Sequence, residues 1–453
     1  MNLILKLKAN LNDRHFGEVL KGSIFTFISR GFSGVFALLL QVIIVRAYGT
    51  EVLGLTELIN SFLMIMVVFP LMGNHISILR FIPEYTGKNL PFTAFRIYRK
   101  LLYFIIIVSI LLVVIVVFNS HFIVERVFKK PQYLTLFLIA GFFIPFRALY
   151  EYSLSAIRAL RLIKTFAFFQ ILPVILNLII LGLLTILFYQ RYNPIYSFLS
   201  GFLIASLAGS LIAETKLKRL KAESSNSSPS KLTSTNIPPS LSSLLSVSIP
   251  MFLANVMNYI NNQTGVLILG ALRSEKEIAY YAVAAKFAAL TSFLLIAINS
   301  MIAPKFAELY HAGKMDDLRN VIRKSTKLIF WSTVPILTGL LLLGRPLLSC
   351  IYGDELLLSY IPLVVLLSGE FINSISGSVG FFLLMTGNER TASIILLFAS
   401  IINISLSVLL VPYYGATGAA IGATFSTIFW NLAMVWVIRS KYKITFIYSP
   451  IRV

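Results

Sequence analysis

Residues 101–119 read LLYFIIIVSILLVVIVVFN, an apolar run that contains no charged side chain. A helix needs about 20 consecutive apolar residues to cross the hydrocarbon core of a bilayer. The run therefore predicts a transmembrane helix, and it is typical of the whole chain. Of the 453 residues, 57% are hydrophobic and 13% are charged, whereas soluble proteins have roughly 45–50% and 25%. This composition excludes an ordinary soluble enzyme, a disordered chain and a disulfide scaffold.

Twelve apolar runs of this kind follow one another along the chain, each bounded by charges, proline or glycine. They occupy residues 22–45, 53–76, 101–119, 133–155, 166–188, 195–213, 244–269, 278–301, 327–344, 358–385, 391–411 and 415–438. We therefore predict an all-α polytopic membrane protein with 12 transmembrane helices.

The net charge of +21 arises from 39 Lys and Arg residues against 18 Asp and Glu residues. In a soluble protein this excess would suggest nucleic acid, but here most cations lie in the loops on the N-terminal side of the predicted membrane. An excess of Lys and Arg marks the cytoplasmic face. We therefore expect a multi-pass protein of the cytoplasmic (inner) membrane, with both termini cytoplasmic, contacts to anionic lipid and no nucleic acid partner.

The segment 222–243, AESSNSSPSKLTSTNIPPSLSS, is rich in Ser and Pro and has no apolar period. Such a composition predicts a flexible cytoplasmic linker. It separates an N-terminal lobe, residues 1–221, from a C-terminal lobe, residues 244–453. The second helix of each lobe leads into a proline-bearing segment, RFIPEY from Arg80 and APKFAEL from Ala303. We predict two pseudo-equivalent six-helix lobes around a central cavity.

Two of the predicted helices carry a polar stripe. The residues are Ser23, Thr26, Arg30, Ser33 and Gln41 in the first helix, and Asn255, Asn258 and Asn262 in the seventh. At 100° per residue, each set falls on one side of its helix. Because the two helices occupy equivalent places in the repeat, the stripes predict a shared wet cavity that binds substrate. The alternative is hydrogen bonding between helices in a packed bundle.

Ionisable residues inside the spans demand an explanation, since a charge at a helix centre costs about 2.5–3.5 kcal/mol on insertion scales. The cations are Arg30, Arg147 and Lys286, and the acids are Glu57, Glu151 and Glu370. We expect Arg30 and Lys286 to contact an anionic substrate, or else to form buried structural pairs. Arg147 and Glu151 are four residues apart, so they line the cavity or pair with each other. Glu57 and Glu370 bind a coupling cation, H⁺ or Na⁺, or neutralise Arg30 or Lys286.

Several short motifs resemble the Wzx family of oligosaccharide flippases. They are Ser29–Gly31 in the first span, Val45–Gly49 and Glu51–Leu55 at the entry to the second, Asn388–Thr391 before the eleventh, and the glycine- and alanine-rich Pro412–Thr424 at the start of the last. The order and spacing of these motifs carry the resemblance over nearly the whole chain.

The resemblance implies membership of the multidrug/oligosaccharidyl-lipid/polysaccharide (MOP) exporter superfamily, with two lobes around a cavity that opens alternately to each side. The implied substrate is an undecaprenyl-pyrophosphate-linked oligosaccharide, moved from the cytoplasmic to the outer leaflet for cell-surface polysaccharide synthesis. Other polysaccharide-assembly membrane proteins are candidate partners. Drug antiporters of the superfamily would suggest a carboxylate in the first or seventh span, and this chain has none in either.

Two other functions compete with this one. The first is flipping of lipid II or another anionic lipid, although lipid II flippases usually add two helices that are missing here. The second is a membrane enzyme such as a polysaccharide polymerase, which would need a sizeable extramembrane loop with catalytic groups. We therefore predict a transporter that is not an enzyme. No cofactor or metal site is predicted, because the four His residues show no metal-ligand spacing.

Overall fold

The computed structural model describes residues 14–88, 90–227, 239–444 and 446, and all regular structure in these residues is helical. The helices before the predicted linker are α1 Arg14–Tyr48, α2 Thr50–Leu71, α3 Asn74–Gly87, α4 Pro91–Phe118, α5 Leu134–Phe142, α6 Ile144–Ala159, α7 Ile163–Leu187 and α8 Asn193–Ser227. Those after it are α9 Leu241–Leu272, α10 Glu275–His311, α11 Met315–Tyr352, α12 Tyr360–Ser376, α13 Val379–Met385 and α14 Glu389–Tyr442. The all-α prediction is confirmed.

Eight of the described helices are long and apolar enough to cross a membrane, or nine if the bent pair formed by α5 and α6 is one span. The helix α14 covers two of the predicted spans, and α9 and α10 cover two more. Each of the 12 predicted spans thus corresponds to described helix, while the number of crossings stays a prediction. Many large apolar side chains face outward, such as Ile107, Phe118 and Ile186, as expected for helices surrounded by lipid.

Three helix breaks differ from the predicted spans. The span 53–76 ends early because Met72 and Gly73 both have positive φ, of 40° and 76°, and the amphipathic α3 follows. The span 133–155 is bent by 40° between α5 and α6. Pro145 at this bend lacks the N–H that would continue the hydrogen-bond ladder. The span 358–385 is interrupted at Gly377, where φ is 65°.

The segment predicted as a linker is shorter than its composition indicates. The helix α8 continues to Ser227, and α9 begins at Leu241, so both ends of the segment 222–243 are helical. Extending a formed helix needs no new nucleus, which favours continuation beyond the apolar span. An ion pair of 3.0 Å between Lys218 and Glu214 supports this end of α8. The central part of the predicted linker, residues 228–238, lies outside the described residues.

The helices form two compact units that do not follow the chain order. The first unit contains the described residues of Met1–Gly31, Gln41–Leu58 and Ile260–Val453, and the second contains Phe32–Leu40 and Ile59–Tyr259. These units are not the lobes predicted from the linker, residues 1–221 and 244–453. The lobe boundaries stay a prediction.

The second unit is held by close packing of aromatic and small polar side chains. Tyr98 and Tyr152 stack with their ring centroids 5.4 Å apart, and the Tyr152 hydroxyl donates to the Tyr98 carbonyl at 2.9 Å. The Ser248 hydroxyl on α9 donates to Asn74 Oδ1 of α3 at 2.9 Å. This contact joins the start of α9 to α3.

The first unit has an apolar cluster at the end where α10 finishes. Its centre includes Phe306, Phe382 and Ile438, all fully buried. The rings of Phe306 and Phe382 meet edge to face with centroids 5.8 Å apart. The cluster fixes α10, α13 and α14 against one another, so the polar groups farther along α10 have a rigid support.

Candidate functional site

The carboxylate of Glu57 lies at the centre of a polar network in the first unit. Its Oε1 accepts a hydrogen bond from Gln41 Nε2 at 2.9 Å and one from Lys286 Nζ at 2.7 Å. The Tyr352 hydroxyl donates to Gln41 Oε1 at 3.4 Å. Four helices, α1, α2, α10 and α11, each supply one of these side chains. We call this set (Gln41, Glu57, Lys286 and Tyr352) the Glu57 network.

Gln41, Glu57 and Lys286 lie about two to three turns from the nearer ends of their helices, and Tyr352 is the last residue of α11. A helix rises 1.5 Å per residue, so Gln41 is about 10 Å from the end of α1 at Tyr48, and Lys286 is about 16 Å from the start of α10. The hydrocarbon core is about 30 Å thick. Charges at this depth need partners, and the ion pair between Lys286 and Glu57 provides them.

The members of the Glu57 network differ in exposure. Gln41 is buried, with 1% of its surface exposed, whereas the side chains of Glu57 and Lys286 are 14% and 36% exposed. Lys286 is therefore paired while part of its side chain remains exposed. The structure shows Glu57 beside Lys286, and contact of Lys286 with a substrate stays a prediction.

Arg30 lies on the same side of α1 as Gln41, because the two are eleven residues apart and thus separated by about 20° around the helix. Arg30 is exposed. The large apolar side chains exposed on α1 form a different stripe, Ile28, Phe32, Val35, Leu39 and Ile43. At 100° per residue, Arg30 points almost directly away from the middle of that stripe. The exposed side of Arg30 is therefore not the lipid-facing side of the helix.

The position of Arg30 along α1 can be measured from the end of the helix at Tyr48. Measured from Tyr48, Arg30 lies about 27 Å along the helix, nearly the full thickness of the hydrocarbon core. Arg30 and Gln41 are separated by about 16 Å along the axis, so Arg30 and Lys286 mark two different depths.

Side chains near Arg30 allow α1 to approach α10 closely. A Cβ atom on Gly31 would lie 3.2 Å from Cζ of Phe293. Phe293 follows Lys286 by seven residues, so it lies on the same side of α10. The helices α1 and α10 therefore meet directly at Gly31 and Phe293, and they are joined through Glu57 at Gln41 and Lys286.

Polar side chains also fix the helix hairpin between α1 and α2 within the first unit. Arg46 Nη2 donates to the carbonyl of Cys350 at 2.8 Å, and Thr50 Oγ1 donates to Glu355 Oε2 at 2.6 Å. Lys276 forms a 2.8 Å ion pair with Glu355. The hydrogen bond to Glu355 raises the pKa of Lys276 above its usual range. The stabilisation from this pair is present at neutral pH and is lost only as the pH rises through the raised pKa.

In the second unit, Arg147 forms a local pair with Glu151. Arg147 Nη2 lies 3.0 Å from Glu151 Oε1, and the guanidinium carbon lies 3.8 Å from the ring centroid of Phe202. Arg147 is 5% exposed, and its Nε and Nη1 have no hydrogen-bond acceptor within the part of the chain that the structure describes. A cation desolvated over an aromatic face is stabilised by the ring quadrupole. The structure thus shows Arg147 paired with Glu151, and substrate binding by Arg147 stays a prediction.

The asparagines of α9 occupy different places. Asn258 and Asn262 are exposed, while the side chain of Asn255 lies outside the described part of the structure. The neighbouring Asn261 has a packing role, because its Oδ1 accepts from Ser426 at 3.1 Å and its carbonyl accepts from Asn403 at 3.0 Å. The exposure of Asn258 and Asn262 agrees with a polar surface, and their contact with substrate stays a prediction.

Glu370 on α12 accepts hydrogen bonds from the Ser292 hydroxyl and from Asn373 Nδ2 at 3.2 Å. Its Ser292 and Asn373 partners are uncharged, so the structure does not pair Glu370 through these contacts with Arg30 or Lys286. Binding of a coupling cation by Glu370 stays a prediction. The described residues contain no group of three His, Cys, Asp or Glu side chains that could hold a metal ion.

Sequence reasoning missed Tyr352 and Phe202 as partners of the charged residues. Both are aromatic residues in apolar surroundings, and nothing in their local sequence distinguishes them from other core aromatics. Their roles depend on contacts with residues far away in the chain, which the helical period does not encode.

A sequence model of the family described as "Polysaccharide biosynthesis protein" matches residues 95–360. The probable low-salt glycan biosynthesis flippase Agl15 of Haloferax volcanii is 21% identical over 257 residues, which are 57% of this chain and 51% of that protein. The chain thus spans about half the length of this curated relative.

Two solved structures have a similar fold. The lipid II flippase MurJ in an inward closed conformation superposes with a TM-score of 0.71 at 17% identity, covering 92% of this chain and 87% of the other. A multidrug resistance MATE family transporter of the MOP superfamily, in an inward-facing conformation, superposes with a TM-score of 0.71 at 14% identity, covering 90% and 96%. This chain therefore shares the fold of these two solved proteins.

Proposed function

Because this chain belongs to the polysaccharide biosynthesis protein family, we propose that it is a flippase that moves a lipid-linked oligosaccharide across the cytoplasmic membrane. The name of the Haloferax relative supports this function, and the MOP fold is a transporter fold. The relatives named above are flippases and a transporter, which favours transport over an enzymatic activity.

The observation that carries the proposal is the position of Arg30. Arg30 is an exposed residue on the side of α1 opposite the apolar stripe, and it is in line with Gln41. A cation exposed on that side of a transmembrane helix fits a water-filled path that receives an anion. A guanidinium binds phosphate through paired, charge-assisted hydrogen bonds.

Arg30 and Lys286 lie at two different depths, so a pyrophosphate group could bind first to one cation and then to the other. Arg30, close to the inner boundary in the proposed orientation, would bind the pyrophosphate first. Lys286, about 16 Å farther along, would bind it later, using the part of its ammonium that Glu57 leaves accessible. The amides of Asn258 and Asn262 suit the hydroxyl groups of sugars. The carrier in this proposal is undecaprenyl pyrophosphate, and the lobes open alternately to the two sides.

The proposed setting is the cytoplasmic membrane, with both termini in the cytoplasm. The excess of Lys and Arg in the loops on that side supports this orientation. The partners are the bilayer lipids, the lipid-linked oligosaccharide and other membrane proteins of polysaccharide assembly.

Flipping can be measured with the purified chain in liposomes that carry a lipid-linked oligosaccharide, by the loss of its accessibility to a sugar-oxidising reagent outside. We expect flipping by the native chain, at least tenfold slower flipping with Arg30→Lys, and none with Arg30→Ala. Arg323→Ala, at an exposed position of α11, is the matched control and should retain the native rate. No flipping by the native chain, or a preference for lipid II over the oligosaccharide lipid, would contradict the proposal.

A further inference from the structure

A cavity of about 180 Å³ opens on the surface of the second unit at the turn between α6 and α7. It is lined by Leu162 at that turn and by Ile212, Thr215, Lys216 and Arg219 of α8. We call it the α8 cavity. A liquid water molecule occupies about 30 Å³, so the cavity has room for a group of several heavy atoms.

The α8 cavity lies where the lipid-facing surface of α8 changes from apolar to polar. Ile204, Leu207 and Leu211 are exposed by 44%, 53% and 64% and form one stripe at helical spacing. The next residue on this stripe is Thr215, which is also exposed. The end of an exposed apolar stripe marks the level at which lipid tails give way to headgroups.

The surroundings of the α8 cavity are strongly cationic. Lys216 and Arg219 line it, and Arg158, Arg161 and Lys164 flank Leu162 in the sequence. The nearby acid Glu214 is already engaged, with its Oε1 3.0 Å from Lys218 Nζ. Within the residues that the structure describes, no carboxylate forms an ion pair with Lys216 or Arg219. The cavity therefore combines an apolar wall, a hydroxyl and two cations that form no ion pair with a carboxylate among the described side chains.

We propose that the α8 cavity binds the phosphate headgroup of an anionic phospholipid of the surrounding bilayer. The phosphate lies against Lys216 and Arg219, and the acyl chains follow the stripe of Leu211, Leu207 and Ile204 into the hydrocarbon core. Arg219 supplies a forked donor for phosphate oxygens, and Lys216 supplies a point charge. A soluble anion would gain nothing from the apolar stripe, which is why the occupant is a lipid. This site does not depend on the proposed transport activity.

The test is native mass spectrometry of the full chain in a mild detergent, titrated with phosphatidylglycerol or with phosphatidylcholine. We expect the native chain to retain phosphatidylglycerol in preference. Each cation near an anionic lipid surface contributes about fivefold to binding, so Lys216→Gln with Arg219→Gln should weaken phosphatidylglycerol binding roughly 25-fold.

The matched control removes two charges from the same helix outside the cavity, with Lys218→Gln and Lys221→Gln. Lys218 is paired with Glu214, and Lys221 lies over the Phe92 ring at 4.9 Å. This control should bind phosphatidylglycerol within about twofold of the native chain. A second variant, Leu162→Trp, fills the cavity while keeping both cations, and it should also lose the preference.

Three results would overturn the proposal. They are equal retention of the two lipids by the native chain, equal losses in the cavity and control variants, and displacement of phosphatidylglycerol by an equimolar amount of undecaprenyl pyrophosphate. The second would show that only diffuse surface charge is involved, and the third would assign the cavity to the transported lipid. Thermal unfolding of each variant in the same detergent identifies any that is misfolded, and Leu162→Trp then decides the question independently of Lys216 and Arg219.

Discussion

Variants of the ion pair between Glu57 and Lys286 can distinguish a structural role of Lys286 from a role in binding substrate. Glu57→Gln leaves the ammonium of Lys286 without its counter-charge at membrane depth. Breaking a fully buried pair costs about 3–5 kcal/mol, and the cost here is smaller because Lys286 is 36% exposed. We expect Glu57→Gln to lower the amount of protein in the membrane, measured by quantitative blotting of membrane fractions.

The double variant Glu57→Gln with Lys286→Gln separates the two roles. Two neutral amides hydrogen-bond at the same positions, so the amount of protein should return to the native level. If Lys286 binds the substrate, transport stays at least tenfold below native in this variant. Native transport in the double variant would limit Lys286 to a structural role. The control is Gln41→Leu, which removes the neutral partner of Glu57 and leaves the ion pair with Lys286 in place.

Arg147 should behave as a structural residue, since it is buried between Glu151 and the Phe202 ring. Arg147→Ala leaves Glu151 without its partner and opens a void beside Phe202, so we expect reduced protein in the membrane. Arg147→Met with Glu151→Gln removes both charges and keeps most of the volume, and it should restore both protein level and transport. Normal protein level with lost transport in this double variant would instead place Arg147 at the substrate.

Among the helices, α14 contains a backbone position that only glycine fits. Gly415 has φ 54° and ψ −130°, and a Cβ atom there would overlap the carboxylate of Glu277. That carboxylate accepts a hydrogen bond from Ala416 N at 2.7 Å, which caps the second half of the helix. Gly415→Ala should therefore lower the free energy of unfolding by about 1–3 kcal/mol, measured as a fall in the thermal midpoint in detergent.

The control for this substitution is Gly339→Ala in α11, where the added Cβ would have no atom within 4 Å. In a helix interior, alanine is favoured over glycine by roughly 0.5–1 kcal/mol. The two substitutions should thus shift the thermal midpoint in opposite directions. A midpoint unchanged by Gly415→Ala would mean that the kink is not needed to hold α14 against α10.

The existence of the helices could be predicted from apolar run length, but their breaks could not. Gly415 is the first residue of the last predicted span, yet α14 runs through it from the preceding span as one kinked helix. The break at Met72 was missed because a positive φ at methionine has no sequence signal. Such breaks depend on what packs beside them, as the Glu277 carboxylate does at Gly415.

For the whole molecule, the charge distribution of the loops predicts the orientation in the membrane. A reporter active only in the cytoplasm, fused after residue 230 or after the C-terminus, should be active. The same reporter in the turn after Arg191 or at Gly353 should be inactive, because these turns belong to the predicted outer side. Outward placement of residue 230 would reverse the assignment of Arg30 to the inner boundary, and with it the order of phosphate contacts proposed above.

Contacts of the candidate site within one helix could be predicted from the sequence, whereas contacts between helices could not. Arg147 and Glu151 lie one helical turn apart, so their pairing followed from the sequence. The partner of Glu57 stayed open between Arg30 and Lys286, because the choice depends on how α1, α2 and α10 pack. The separation of Arg30 and Lys286 along the helices likewise depends on how α1 and α10 pack, which the helical period does not encode.

The long sequence separation within the Glu57 network has a consequence for biosynthesis. Glu57 and Lys286 are 229 residues apart, and a ribosome adds roughly 5–20 residues per second. Glu57 therefore enters the membrane on the order of ten to fifty seconds before the lysine that neutralises it has been made. During this interval Gln41, only 16 residues away, is the partner of the network that the nascent hairpin already contains. A ribosome that stalls between these points leaves an acid in lipid without its cation, and such truncated chains should be recognised and degraded by membrane quality control.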